Sequence, residues 1–90
     1  MSTELEKDIE RKAVAAAKAR GWISYKFVSP QQRGVPDRIF FREGKTVLIE
    51  FKRPGGKVSK LQHVQIDRLR EAGIPVAVCY SVNEALEALR

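Results

Sequence analysis

Apolar and polar positions change spacing along the chain in a way that predicts three helices and four strands. Apolar residues recur at helical spacing near the start, where Ser2 or Thr3 can cap a helix that runs to about Arg20 and stops at Gly21. Short apolar or β-branched runs bounded by turn residues then predict strands. These strands are Trp22–Val28, Asp37–Phe41, Thr46–Lys52 and Pro75–Tyr80, and the two later helices run from Ser59 to about Ala72 and from Ser81 through Leu89. The order α-β-β-β-α-β-α predicts an α/β fold with a mixed sheet flanked by helices.

The second and third predicted strands form a hairpin that brings two carboxylates together. With Glu43 and Gly44 as the turn residues, Asp37 falls directly opposite Glu50. Opposed side chains lie about 4.5 to 5.5 Å apart at Cβ, so the two charges repel, and a hard divalent cation would relieve that repulsion. Strand alternation puts Lys52 on the same face. In this register Arg42 pairs with Lys45 and Phe40 with Val47.

Composition narrows the kind of partner that such a site serves. Residues 1–90 are read as one small domain, and 17 Lys and Arg against 11 Asp and Glu give a charge of +6, which favours a polyanion. Cys79, in an apolar strand, is expected to be a buried, inert thiol. The chain lacks an apolar run of membrane-spanning length and a signal-peptide pattern, so we expect a cytoplasmic protein without a membrane or small-molecule partner. A bacterial or phage-infected cell is compatible with this setting.

The second helix places two amides on its apolar side. Leu61, Ile66, Leu69 and Ala72 define that side, and Gln62 and Gln65 project within the same arc. Gln62 has capping-box spacing from Ser59, whereas Gln65 either faces a polar group of the sheet or serves a site. His63 lies on the opposite, charged arc. With one histidine and one cysteine, the usual structural zinc site is excluded.

On the first helix, Glu6 and Glu10 flank the apolar stripe, and either can reach the end of the sheet. Taken alone, each is best explained as a surface carboxylate beside neighbouring basic residues.

The ordered spacing Glu10, Asp37, Glu50-Phe51-Lys52 resembles the active-site pattern of the PD-(D/E)XK nuclease superfamily, and nearly the whole chain resembles a stand-alone VRR-NUC domain. The Pro-Asp and Glu-X-Lys elements are weak signals alone, and their ordered combination on an α/β chain of this size is strong. The matching stretches are Gly21-Trp22, Arg33-Gly34-Val35-Pro36-Asp37, Leu48-Ile49-Glu50-Phe51-Lys52, Val58-Ser59-Lys60-Leu61-Gln62 and the segment 72–86.

The resemblance implies a restriction-endonuclease-like core and a role for each matching residue. Asp37, Glu50 and the backbone carbonyl of Phe51 would hold Mg²⁺ or Mn²⁺. Lys52 would position or help deprotonate the attacking water, and Glu10 would support the metal site as in archaeal-type Holliday junction resolvases. Gln62 matches the family's glutamine in the helix after the Glu-X-Lys strand. The implied catalytic residues are Glu10, Asp37, Glu50, Lys52 and Gln62.

The expected substrate is branched DNA. Arg33, Arg38, Arg53 and Lys57 flank the site in sequence and are candidates for contacts to backbone phosphates, which give affinity without sequence information. The resemblance to resolvases implies a homodimer that makes paired nicks in a four-way (Holliday) junction. Two alternatives stay open: the same chemistry on flaps, forks or nicked duplex within a larger machine, and a non-catalytic DNA-binding module.

Overall fold

The computed structural model describes residues 5–90, and its elements follow the predicted order. The predicted cap at Ser2 or Thr3 lies outside the described residues. The elements are α1 (Glu6–Ala19), β1 (Ile23–Lys26), β2 (Arg38–Arg42), β3 (Lys45–Phe51), α2 (Lys60–Glu71), β4 (Val76–Cys79) and α3 (Val82–Ala88). β1 is shorter than the predicted strand 22–28 because it pairs with β2 alone, and the ladder spans Ile23–Lys26 only.

The sheet has the order β1-β2-β3-β4. β1 and β3 both run antiparallel to β2, and β4 runs parallel to β3. The hairpin register is the predicted one, with Arg42 opposite Lys45 and Phe40 opposite Val47. Both turn residues have positive φ, 50° at Glu43 and 79° at Gly44, which is the backbone of the two-residue turns that match strand twist.

Two apolar clusters lie on opposite faces of the sheet. α1 and α3 cover one face, where the buried members are Ile9, Ala13, Ala17, Trp22, Phe40, Ile49, Phe51, Cys79, Ala85 and Leu89. The small, buried alanines of α1, Ala13 and Ala17, let this helix lie close to the strands.

α2 covers the other face through Ile66, which packs with Leu48 and Val76. Leu61 and Ala72 were expected on the buried side of this helix and are exposed, Leu61 by 53%. The first turn instead directs Gln62 toward the sheet, where it contacts Glu50. Among residues 5–90 no helix is long and apolar enough to cross a membrane.

Candidate active site

Asp37 and Glu50 face each other where β2 begins and β3 ends. Asp37 lies one residue before Arg38, whose partner in the ladder is Ile49, so the same register sets it opposite Glu50. The backbone N–H of Phe51 donates a hydrogen bond to Asp37 Oδ2 at 2.8 Å, which ties the first carboxylate to the strand of the second. The hairpin turn therefore produces the predicted carboxylate pair.

Glu50 is the deepest polar group of the site, with an exposed fraction of 2%. Gln62 Nε2 donates to its Oε2 at 2.9 Å, and Lys52 Nζ lies 3.6 Å from the same oxygen. Its other oxygen, Oε1, is buried without a hydrogen-bond partner. A buried carboxylate oxygen left unpaired is costly, so this atom is suited to an additional ligand.

Both carboxyls are harder to ionise than usual. Burial raises the pKa of Glu50 to about 7, with a further upward contribution from the charge of Asp37 that the ammonium of Lys52 opposes. Burial also raises the pKa of Asp37, although the hydrogen bond from Phe51 works in the opposite direction. The pair therefore favours a cation that keeps both groups ionised.

Gln62 joins the first turn of α2 to the acidic pair. Its Oε1 accepts the backbone N–H of Ser59 at 2.9 Å, and its own N–H donates to Ser59 Oγ at 3.2 Å, which completes the predicted capping box. Its Nε2 is thereby left for Glu50. The structural and site-facing interpretations of this glutamine both hold, because each uses a different end of the same amide.

The loop before Asp37 presses against this same turn at Gly34. A Cβ at Gly34 would lie 2.8 Å from the carbonyl carbon and oxygen of Leu61, and φ is +86°. Only glycine fits this approach without strain. Gly34 thus sets the distance between the Asp37 loop and the helix that carries Gln62.

Glu10 reaches the sheet beside Asp37 without entering the carboxylate pair. Its Oε2 accepts a 2.6 Å hydrogen bond from Arg38 Nε and lies 3.7 Å from Lys26 Nζ. Its charge contributes to the raised pKa of Asp37, so the two carboxylates sense each other. Glu10 neighbours the site from the α1 face.

A divalent cation fits the donors that are present. No group of three or more His, Cys, Asp or Glu side chains with metal-site geometry occurs among residues 5–90. Two carboxylates, completed by a backbone carbonyl such as that of Phe51 and by water or phosphate oxygens, are the donor set typical of Mg²⁺. The unpaired Oε1 of Glu50 agrees with this set.

The other candidate residues are divided between surface and interior. Arg33, Arg53 and Lys57 are exposed, whereas the Arg38 side chain is 23% exposed and engaged by Glu10. Gln65 donates to Gln32 Oε1 at 3.4 Å, in the loop before Asp37. His63 is exposed on the far arc of α2, as the sequence predicts.

Sequence reasoning missed Lys26 and the spacing role of Gly34. Lys26 alternates onto the same face as Arg38, which it opposes in the ladder, but its approach to Glu10 depends on how α1 crosses the sheet. The tight backbone approach at Gly34 depends on tertiary packing that no local pattern records.

Comparison with known proteins agrees with this geometry. A protein of Acyrthosiphon pisum secondary endosymbiont phage 1, named "Putative nuclease p44", is 42% identical over 74 residues, which cover 81% of this chain and 80% of that protein. A solved structure described as a VRR_NUC domain has a TM-score of 0.85 over 93% of this chain and 92% of that chain, at 22% identity, and so shares the fold.

The family model of the VRR-NUC domain matches residues 2–83, nearly the whole chain. These matches are consistent with the PD-(D/E)XK superfamily pattern in Glu10, Asp37, Glu50 and Lys52. The chain belongs to the VRR-NUC domain family of nuclease domains.

Proposed function

We propose that this chain is a divalent-metal-dependent endonuclease that hydrolyses phosphodiester bonds in branched DNA and, as a homodimer, makes paired nicks in four-way junctions. One arrangement carries the chemistry: Asp37 and Glu50 oppose each other, with Glu50 Oε1 unpaired and Lys52 Nζ 3.6 Å from Glu50 Oε2. The positive balance of +6 supports a polyanionic substrate.

Asp37, Glu50 and the carbonyl of Phe51 would hold Mg²⁺ or Mn²⁺. Held by these residues, the ion would supply Lewis-acid chemistry: it would lower the pKa of a coordinated water and polarise a phosphoryl oxygen. The hydrogen bond from Phe51 N–H holds the Asp37 carboxylate in place, and Gln62 holds that of Glu50. Both ligands are therefore oriented before substrate arrives, which lowers the cost of assembling the site.

Lys52 acts beside the metal ligands. Its ammonium can donate to a non-bridging phosphate oxygen, where negative charge grows as water attacks, and Lys52 would position or help deprotonate that water. The side chain is 13% exposed, so the charge acts where little water screens it. Glu10 serves as a positioning residue, because it holds Arg38 next to Asp37.

The choice of a branched substrate rests on the resolvase resemblance. Residues 5–90 form one nuclease fold, and their basic candidates would contact backbone phosphates, which carry no sequence information, so we propose that DNA shape selects the substrate. A two-fold dimer presents two equivalent sites to a four-way junction, whose strands are themselves related in pairs.

The direct test is a cleavage panel of labelled four-way junction, flap, fork, nicked duplex and single strand, run with Mg²⁺, with Mn²⁺ and with chelator. We expect metal-dependent junction cleavage that Asp37→Asn abolishes. Asp67→Asn is the matched control, because it removes an exposed carboxylate of α2 by the same substitution.

Junction cleavage that persists unchanged in Asp37→Asn or in chelator would refute the assigned chemistry. Cleavage confined to flaps, forks or nicked duplex would keep the chemistry and reassign the substrate. DNA binding that survives chelation without any cleavage would indicate a non-catalytic binding module.

A further inference from the structure

Three large side chains on the α2 side of the sheet lie outside both apolar cores. Ile23 and Tyr25 of β1 are 55% and 61% exposed, and Phe41 of β2 is opposite Ile23. The rings of Tyr25 and Phe41 meet edge to face, with centroids 6.2 Å apart. We call Ile23, Tyr25 and Phe41 the strand patch; none of the three belongs to either core cluster.

The strand patch is uncovered because α2 packs over the other half of the sheet. The buried residues that meet α2 on this face, Leu48 and Val76, belong to β3 and β4. β1 therefore has an open apolar face as well as an open edge, and natural proteins seldom leave a strand in this state without a partner.

The charges of these strands favour a protein over a nucleic acid as the occupant of the strand patch. Their basic residues alternate onto the opposite face, where Arg38 and Lys26 engage Glu10 and Arg42 stacks 4.6 Å above the ring of Trp22. On the strand-patch side β1 and β2 present only apolar side chains: Ile23, Tyr25, Ile39 and Phe41. A surface that binds phosphates carries lysine and arginine, so this one fits a protein.

A hollow lies next to the strand patch. It has a volume of about 430 Å³ and is lined by residues of the hairpin turn and by Gly73, Ile74 and Pro75. Thr46, which also lines the hollow, is the partner of Phe41 in the ladder, so the strand patch and the hollow are neighbours. Across a two-fold axis, the strand patch of each copy can enter the hollow of the other copy. This is the self-complementarity that an isologous interface requires.

We propose that the strand patch is the surface through which a second copy of this chain docks, with Tyr25 and Ile23 of each copy seated against the hollow of its partner. The choice of a second copy rests on the proposed function, which needs two sites in one assembly. Together, the side chains of Tyr25 and Ile23 expose on the order of 200 Å² of surface, against ~800 Å² buried per partner in a standard interface. They therefore form the centre of the interface, and the hollow and the surrounding polar residues supply the remaining area.

This arrangement leaves the metal site free. Phe41 and its partner Ile23 lie about 13 Å along the strands from Asp37, and Tyr25, opposite Ile39, lies about 7 Å along them. Glu50 is on β3, on the side of β2 away from β1. The carboxylate pair of each copy therefore remains open to DNA when the strand patches are covered.

The test is sedimentation of the full chain at concentrations from about 2 to about 100 µM. We expect a mass of twice 10.2 kDa for the wild type and a monomer for Tyr25→Lys and for Ile23→Lys. Both positions are exposed, so the variants fold, and circular dichroism verifies this. Val64→Lys is the matched control: it adds the same charge at a 51% exposed apolar residue of α2 and should leave the dimer intact.

The variants Asp37→Asn and Tyr25→Lys separate this proposal from the proposed function. Asp37→Asn should sediment as the wild type, because its defect is chemical. Tyr25→Lys should still nick a flap but lose at least tenfold in paired cleavage of one junction. A wild-type dimer that cleaves no substrate would support the proposed interface and refute the proposed nuclease activity. Cleavage by a wild-type protein that is monomeric would support the activity and refute the interface.

Three results would overturn the interface: a monomeric wild type, a Tyr25→Lys variant that remains dimeric, or a Val64→Lys variant that dissociates equally. Unchanged mass with weaker junction binding in Tyr25→Lys would show that the strand patch contacts DNA instead.

Discussion

Glu50 combines burial, a like-charged neighbour and one unpaired oxygen, and these features make it costly for the fold. Its pKa is raised from 4.5 to about 7, a displacement worth about 3 kcal/mol of free energy when the group is ionised. A carboxyl with a raised pKa is stabilising only while it is protonated. The protein therefore loses stability when the buried Glu50 carboxyl ionises.

In chelator, the free energy of unfolding should fall as pH rises from about 4.5 to about 7 and then level off, because the folded state holds the Glu50 proton over that range and the unfolded chain does not. Urea unfolding at several pH values measures this slope. Glu50→Gln should reduce the slope and raise stability at pH 8 by about 2 kcal/mol. A wild-type slope of the opposite sign, or one unchanged in Glu50→Gln, would contradict the buried ionisable carboxylate.

Substitutions of Ser59 and Gln62 can separate the capping role of Gln62 from its contact with Glu50. Ser59→Ala removes a helix cap, and we expect a loss of about 1 kcal/mol in unfolding free energy. Gln62→Ala also removes the hydrogen-bond donor to Glu50, so we expect the unfolding free energy to fall by about 2 to 3 kcal/mol. We also expect roughly tenfold weaker Mn²⁺ binding, measured by calorimetry. Equal metal affinities in the two variants would show that Gln62 is only a cap.

At the scale of elements, the site depends on how the loop before Asp37 meets α2. Gly34→Ala should destabilise the protein by about 2 to 3 kcal/mol, because φ is +86° and the new Cβ would meet the Leu61 carbonyl at 2.8 Å. Gly55→Ala is the control: φ is +81° with no atom within 4 Å, so only the backbone cost of about 1 kcal/mol applies. Equal unfolding free energies for the two variants would show that the close approach has no energetic weight.

The hairpin half of the site could be predicted from the sequence, and the helical half could not. A tight turn fixes strand register, and alternation then fixes faces, so the opposition of Asp37 and Glu50 and the placement of Lys52 follow from local rules. The contact of Glu10 with Arg38 depends on the position of α1 over the sheet. Helical periodicity places Leu61 on the buried side of α2, but the first turn directs Gln62 toward Glu50 and leaves Leu61 exposed.

Across the whole molecule, exposed basic residues near the site should set how strongly DNA affinity depends on salt concentration. Removing two phosphate contacts in the double variant Arg53→Ala with Lys57→Ala should weaken binding for all sequences alike and reduce the log-log salt slope by about 2. Fluorescence anisotropy with a labelled junction in Ca²⁺ measures this. Lys18→Ala, in the exposed last turn of α1 on the face of the sheet opposite α2, is the control, and a slope change there of the same size would indicate diffuse attraction only.

Asp37 and Glu50 are proposed to hold the metal that drives hydrolysis, and the variant Glu50→Gln isolates this role. The substitution keeps the shape of the side chain and an acceptor for Gln62 while it removes the charge. The measurement is the single-turnover rate of four-way junction cleavage in Mg²⁺ at pH 8. We expect a folded variant whose rate is at least ~100-fold below that of the wild type. Cleavage at the wild-type rate by Glu50→Gln would show that this carboxylate does not hold the metal.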